Sequence, residues 1–127
     1  MSRVLDASAI LALVFRETGA PLVQAALLDG AVILSVNLAE VITTMLGRGM
    51  DEATVRSILD AIDPPVLPFD EDLAYRTGLL RAPTRSAGLS LGDRACLALA
   101  ERLALPALTA DRVWSTLNLS MQVEVIR

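Results

Sequence analysis

The chain has 127 residues, 54% of them hydrophobic, with a single cysteine, no histidine and a formal net charge of −4. The absence of histidine excludes a Ser-His-Asp or Cys-His mechanism, a histidine general base and the usual His/Cys zinc sites. A lone cysteine cannot form an internal disulfide, and a net negative charge is the opposite of what nonspecific nucleic-acid binding requires.

The length fits one domain spanning 1–127, with ample apolar content for a core. In chain order, the short apolar run Val4-Leu5 predicts a strand over 2–5, ended by Asp6, and the run from Ala7 predicts helices over 7–16 and 20–29. Ala31 to Leu34 reads as a buried strand over 31–34, and Asn37 opens a helix over 37–48 with Glu40 in its first turn. A helix over 51–62 leads through Pro64-Pro65 to a strand over 66–68 and a helix over 70–82, with a loop from Pro83 to Gly88. Ser90-Leu91-Gly92-Asp93 has the form of a capping box at the head of a helix over 91–104, which places Asp93 in a first turn. A strand over 107–109 precedes Asp111, a short helix over 112–118 and a last strand over 121–126. Strands alternating with helices predict a three-layer α/β/α sandwich with a mostly parallel sheet of about five strands.

Asp6, Glu40, Asp93 and Asp111 thus share one placement, each at a strand end or in the first turn of a helix. Any one of them reads equally as a helix cap, because acidic side chains at a helix start are stabilised by backbone N–H groups and the helix dipole. In a parallel sheet, however, all strand-to-helix junctions lie along one edge, where open α/β sheets bind ligands. Four acids converging there raise one another's pKa within ~4–6 Å unless a cation offsets them. With no histidine and Cys96 set in a helical apolar pattern as a buried structural thiol, the donor set is all oxygen. Such a set suits Mg²⁺ or Mn²⁺, one ion or two, and phosphodiester chemistry.

Val4-Leu5-Asp6-Ala7-Ser8, Asn37-Leu38-Ala39-Glu40-Val41, Leu91-Gly92-Asp93-Arg94-Ala95 and Leu108-Thr109-Ala110-Asp111 with Trp114 resemble the PIN domain, and within it the VapC toxins of bacterial type II toxin–antitoxin pairs. The resemblance spans the chain in order and spacing. It implies a Mg²⁺- or Mn²⁺-dependent endoribonuclease with Asp6, Glu40, Asp93 and Asp111 as its catalytic and metal-holding acids. It also implies a homodimer and inhibition by a VapB-type antitoxin. Ser8 and Thr109 match positions where the family often carries a hydroxyl that supports the carboxylates; ordinary hydrogen bonding at a helix start and a strand end accounts for them equally. Arg94 departs from the small residue that often follows the third acid, and either an acid partner or a substrate phosphate would suit it.

The four site acids by themselves account for a charge of −4, and all eleven basic residues are arginine. Arg85, Arg94 and Arg112, in loops or helix starts near the expected active edge, are candidates for RNA contact, since arginine forks onto phosphate. Heavy arginine use is also what genomic composition alone would produce. The stripe Val55, Ile58, Leu59 and Ile62, together with the apolar early helices around Leu11, Val14, Phe15, Leu22, Val23 and Leu27, is more than the core of a small domain needs. That excess suits a second subunit or an antitoxin helix. No stretch approaches the ~18 apolar residues of a membrane span, so a cytosolic protein is expected.

Two other readings remain open on the sequence. A phosphatase would use Asp6 as a nucleophile, but the haloacid-dehalogenase type wants a second Asp where Ser8 stands and a lysine, as does a response-regulator receiver, and this chain has no lysine. A non-catalytic PIN-like module that binds only RNA or protein would have no reason to keep four mutually repelling acids. No P-loop or Gly-rich dinucleotide motif occurs.

Overall fold

The computed structural model describes residues 2–127. Its described residues form five strands, β1 (Val4–Leu5), β2 (Val32–Leu34), β3 (Val66–Leu67), β4 (Ala107–Thr109) and β5 (Val123–Val125). The strands build one parallel sheet in the order β3-β2-β1-β4-β5. Around it lie α1 (Ala7–Val14), α2 (Ala20–Leu28), α3 (Ser35–Gly47), α4 (Glu52–Ile62), α5 (Glu71–Leu79), α6 (Arg81–Thr84) and α7 (Leu91–Leu103). The expected α/β/α sandwich is therefore the observed architecture.

The strands are apolar on both faces because both faces are covered. Successive side chains on a strand point to opposite sides, and this splits the core in two. Leu5, Ile33 and Leu108 join Ala9, Ile10, Val23 and Val55 from α1, α2 and α4. Their neighbours Val4, Leu34 and Ala107 join Leu73 of α5, Ala95 to Ala100 of α7 and Trp114. Val41 and Met45 of α3 belong to the first layer. The register Val4 with Val32 and Ala107, and Leu5 with Ile33 and Leu108, keeps each layer continuous across the sheet.

The strand order sets the position of any site. The chain runs outward from β1 to β2 and β3, then returns to the other side of β1 as β4 and β5. The order reverses between β1 and β4, and the crevice beyond the carboxyl ends of those two strands is where such sheets bind ligands. Asp6 follows β1 directly, and Thr109 ends β4.

Four expected elements differ in detail. The helix expected from residue 37 begins at Ser35, directly after the extended Leu34, so Glu40 lies in the second turn of α3 and not in the first. The helix expected over 70–82 breaks at Leu80 into α5 and α6; Pro83 has no N–H to continue the α5 ladder. The stretch expected as a loop from Pro83 to Gly88 is the end of α6 followed by a 3-10 helix, Arg85–Ala87. The last short helix is also 3-10, Arg112–Thr116, with Asp111 as its cap.

Candidate active site

Asp6 is the centre of the acid cluster. It is the N-cap of α1, accepting from the Ala9 N–H at 2.8 Å, and its residue exposure is 3%. Two hydroxyls hold the same carboxylate. Ser8 Oγ lies 2.7 and 2.8 Å from its two oxygens, and Thr109 Oγ1, reaching across from β4, donates to Oδ2 at 2.5 Å. The hydroxyls are themselves fixed: Ser8 Oγ accepts from the Ala110 N–H at 2.9 Å and Thr109 Oγ1 accepts from the Asp111 N–H at 3.1 Å. Burial pushes the Asp6 carboxyl up to about 6, against the lowering effect of the Thr109, Ser8 and Ala9 hydrogen bonds, and the charge of nearby Asp93 adds to the rise.

Glu40 and Asp93 come from two other elements. Glu40 projects from α3 over the first turn of α7, where Gly92 leaves room for it; a Cβ at Gly92 would run into the Glu40 carboxylate. Burial raises the Glu40 carboxyl, its bond from Asn37 lowers it, and Asp93 raises it again. Asp93 completes the capping box of α7, its Oδ2 accepting from the Ser90 N–H at 3.0 Å. The Cys96 thiol, fully buried below this turn, is raised by burial first and then by the charges of Asp6, Asp93 and Glu40. The structure thus brings Asp6 and Glu40 each within electrostatic reach of Asp93.

Asp111 stands apart. It is exposed, its Oδ1 accepts from the Val113 N–H at 3.0 Å, and it is tied to Asp6 through the Thr109 hydroxyl. Arg94 turns toward α5, with Nη1 donating to the Thr77 carbonyl at 3.0 Å. Arg85 and Arg112 are exposed, and the two 3-10 helices that carry them pack against each other.

The sequence marks Asn37 as a helix opener and as the head of the motif Asn37-Leu38-Ala39-Glu40-Val41 but gives it no site role, yet it is 1% exposed. Its Nδ2 donates to Glu40 Oε1 at 2.9 Å and to the Gly92 carbonyl at 3.0 Å. The signal was present in the spacing, since residues three apart on a helix share a face.

The donor set fits a hard divalent cation. The acids offer oxygen donors, and the Asp6 and Glu40 carboxyls are raised first by burial and further by the charge of Asp93, a repulsion that a bound cation would relieve. Among the described residues no group of three or more acid or thiol side chains is placed to hold a metal ion. Mg²⁺ asks for less, being held through one or two carboxylates with water and phosphate oxygens filling the rest. Asp93 Oδ1 and Glu40 Oε2 have no protein hydrogen bond among the described residues.

Two apolar grooves lie away from the acids. One of about 520 Å³ runs between α3 and α4 and is lined by Leu38, Ile42, Val55 and Leu59. The other, of about 560 Å³, lies among α1, α2 and α4 and is lined by Leu13, Leu27, Ile58 and Ile62. Neither is lined by Asp6, Glu40, Asp93 or Asp111. No helix among the described residues is long and apolar enough to cross a membrane.

Comparison with curated proteins finds no match. Among solved structures, the chain is similar to DNA-bound VapBC from Salmonella typhimurium, with a TM-score of 0.73 and 20% identity over 100% of both chains. It is similar to VapBC-5 of Mycobacterium tuberculosis, with a TM-score of 0.63 and 27% identity over 99% of this chain and 98% of that one. A toxin-antitoxin complex from Klebsiella pneumoniae matches at a TM-score of 0.72 and 19% identity, covering 99% of this chain and 98% of its own. The family model described as the PIN domain matches residues 3–118, and the chain belongs to that family.

Proposed function

We propose that this protein is a divalent-metal-dependent endoribonuclease and the toxin of a VapBC-type toxin–antitoxin pair. The observation that carries the reading is the Asp6 carboxylate, buried at the switch point of the sheet and held by Ser8 and Thr109 within electrostatic reach of Asp93. A surface cap would need neither the burial nor the two hydroxyls.

Mg²⁺ or Mn²⁺, when bound, supplies Lewis acidity, bringing the pKa of water toward neutrality and offsetting phosphate charge. The chain's own residues do the rest. Ser8 and Thr109 fix the rotamer of Asp6, so its carboxylate is oriented before any ligand arrives. Glu40 and Asp93, on separate helices, present oxygens across the same crevice. Asp111, exposed beside Thr109, would orient a water. Arg85 and Arg112 provide guanidinium groups for the RNA backbone from the paired 3-10 helices, which answers the unfavourable net charge locally.

Assembly follows from the same family reading and from the surface. The VapBC neighbours are toxin–antitoxin complexes. The two apolar grooves on α4 suit an antitoxin helix, and Leu28 and Leu22, 86% and 57% exposed, suit burial against a partner. A homodimer is expected in solution.

The test is cleavage of a mixed RNA substrate by purified protein with Mg²⁺, Mn²⁺ or EDTA, comparing wild type with Asp6→Asn and Asp93→Asn. Metal-dependent cleavage that falls at least a hundredfold in both variants is expected. Equal cleavage by all three proteins would remove the acids from the mechanism. No cleavage, with divalent-ion binding absent, would return them to helix caps and leave a binding module.

A further inference from the structure

We infer that Asn37 and Gly92 form a latch that positions Glu40 for metal uptake, so that the affinity of the site for a divalent cation depends on the side-chain amide of Asn37. The inference rests on the metal-dependent reading above and adds to it two residues that carry no charge.

Asn37 and Glu40 are three apart on α3 and share a face. Both donor hydrogens of the buried Asn37 amide are spent, on Glu40 Oε1 at 2.9 Å and on the Gly92 carbonyl at 3.0 Å. Those two neighbours are acceptors, so the amide has one acceptable orientation: the flipped form would set its oxygen against two oxygens. The orientation leaves Asn37 Oδ1 buried without a hydrogen-bond partner among the described residues. A buried acceptor left unmatched is unfavourable, and such exceptions need an explanation. Here the explanation is the donor side of the same amide, which ties a carboxylate on α3 to the backbone of α7 one residue before Asp93.

Gly92 supplies the other half. Its missing Cβ is the space that the Glu40 carboxylate occupies. Glycine in a first helical turn is a poor helix former, so its presence there costs stability that a packing requirement accounts for. Asn37 therefore holds Glu40 from one side, and Gly92 admits it from the other. Groups that hydrogen-bond to metal-holding carboxylates commonly set metal affinity by 10–100-fold.

The experiment has two readouts, neither of which is RNA cleavage. The first is NMR of the metal-free protein. The Asn37 side-chain amide protons are expected to be protected from solvent exchange in the wild type and to shift in Glu40→Gln. Free exchange in the wild type would overturn the latch.

The second is Mn²⁺ binding by calorimetry to wild type, Asn37→Ala, Glu40→Gln, the double variant and Gly92→Ala, each checked for a cooperative melt without metal. Affinity about tenfold or more weaker is expected for Asn37→Ala and for Gly92→Ala, with no further loss from Asn37→Ala once Glu40 is Gln. Additive losses in the double variant would show that Asn37 acts on stability and not through Glu40, and would overturn the inference. Wild type that takes up no Mn²⁺ would instead overturn the metal reading of the site and the latch's role in uptake with it.

Discussion

Asp6 keeps its place in the core against its own preference for water. The burial that lifts its carboxyl to about 6 outweighs three hydrogen bonds that act the other way. In the unfolded chain the same group ionises near 3.8, so folding favours the protonated form. Its contribution is fully present below about pH 4, declines as pH rises toward 6 and stays lost above it, a swing of ~3 kcal/mol for a shift of roughly two units. Glu40 is raised as well, mainly by burial, and tilts stability in the same direction. Asp6→Asn, which cannot ionise, is therefore expected to raise the metal-free thermal midpoint by a few degrees at pH 8 and to flatten the fall between pH 4 and 6. Melting curves across that range check it, and an unchanged slope would assign the effect to another group. Ser8 and Thr109 show how far single residues were legible. The family resemblance implied hydroxyls that support a carboxylate, and ordinary hydrogen bonding at a helix start and a strand end accounted for them equally. That both bond to Asp6, Thr109 from 103 residues away, depends on β1 and β4 being neighbours.

At the scale of elements, the caps were written locally and the helices follow them. Asp6, Asp51, Asp70 and Ser90 each accept from a backbone N–H three residues on, as their sequence positions require. Glu40 falls in the second turn because Ser35, with no strong cap before it, enters the helix straight from β2, two residues earlier than expected. The join between α1 and α2 carries a different constraint. Gly19 has φ +92°, and a Cβ there would stand 2.6 Å from the Ile126 carbonyl oxygen and 2.7 Å from its Cγ1. Ile126 in turn donates its N–H to the Thr109 carbonyl at 2.9 Å, so the clash would press on the strand that carries the Asp6 hydroxyl partner. Gly19→Ala is expected to cost about 3 kcal/mol in urea unfolding, from the left-handed backbone and the overlap together. Gly49→Ala is the control, since Gly49 also has positive φ, +98°, but nothing within 4 Å of a Cβ. Its expected cost is only ~1 kcal/mol. Equal losses in the two variants would dismiss the overlap with Ile126.

For the molecule as a whole, folding gathers like charges that a cation would reconcile. Mg²⁺ is expected to raise the thermal midpoint at pH 8, by an amount equivalent to ~2.7 kcal/mol at a hundred times its dissociation constant. At pH 5 the effect should be clearly smaller, because the Asp6 carboxyl, raised to about 6, favours its protonated form there and must lose a proton to bind the cation. Asp93→Asn should abolish the shift at either pH. A Mg²⁺ effect that is independent of pH and of Asp93 would place cation binding elsewhere on the acidic surface. The sequence by itself determined the fold class, through apolar runs, caps and the alternation of strand and helix, all of which act over a few residues. It also restricted the site to oxygen donors, since histidine is absent. The tertiary structure alone decided which acids meet. The order β3-β2-β1-β4-β5 puts Asp6 beside Thr109, the packing of α3 on α7 sets Glu40 over Gly92, and the exposed Asp111 is left at the rim. These contacts join residues far apart in the chain, and their partners are chosen by strand order and helix packing, which no local pattern encodes.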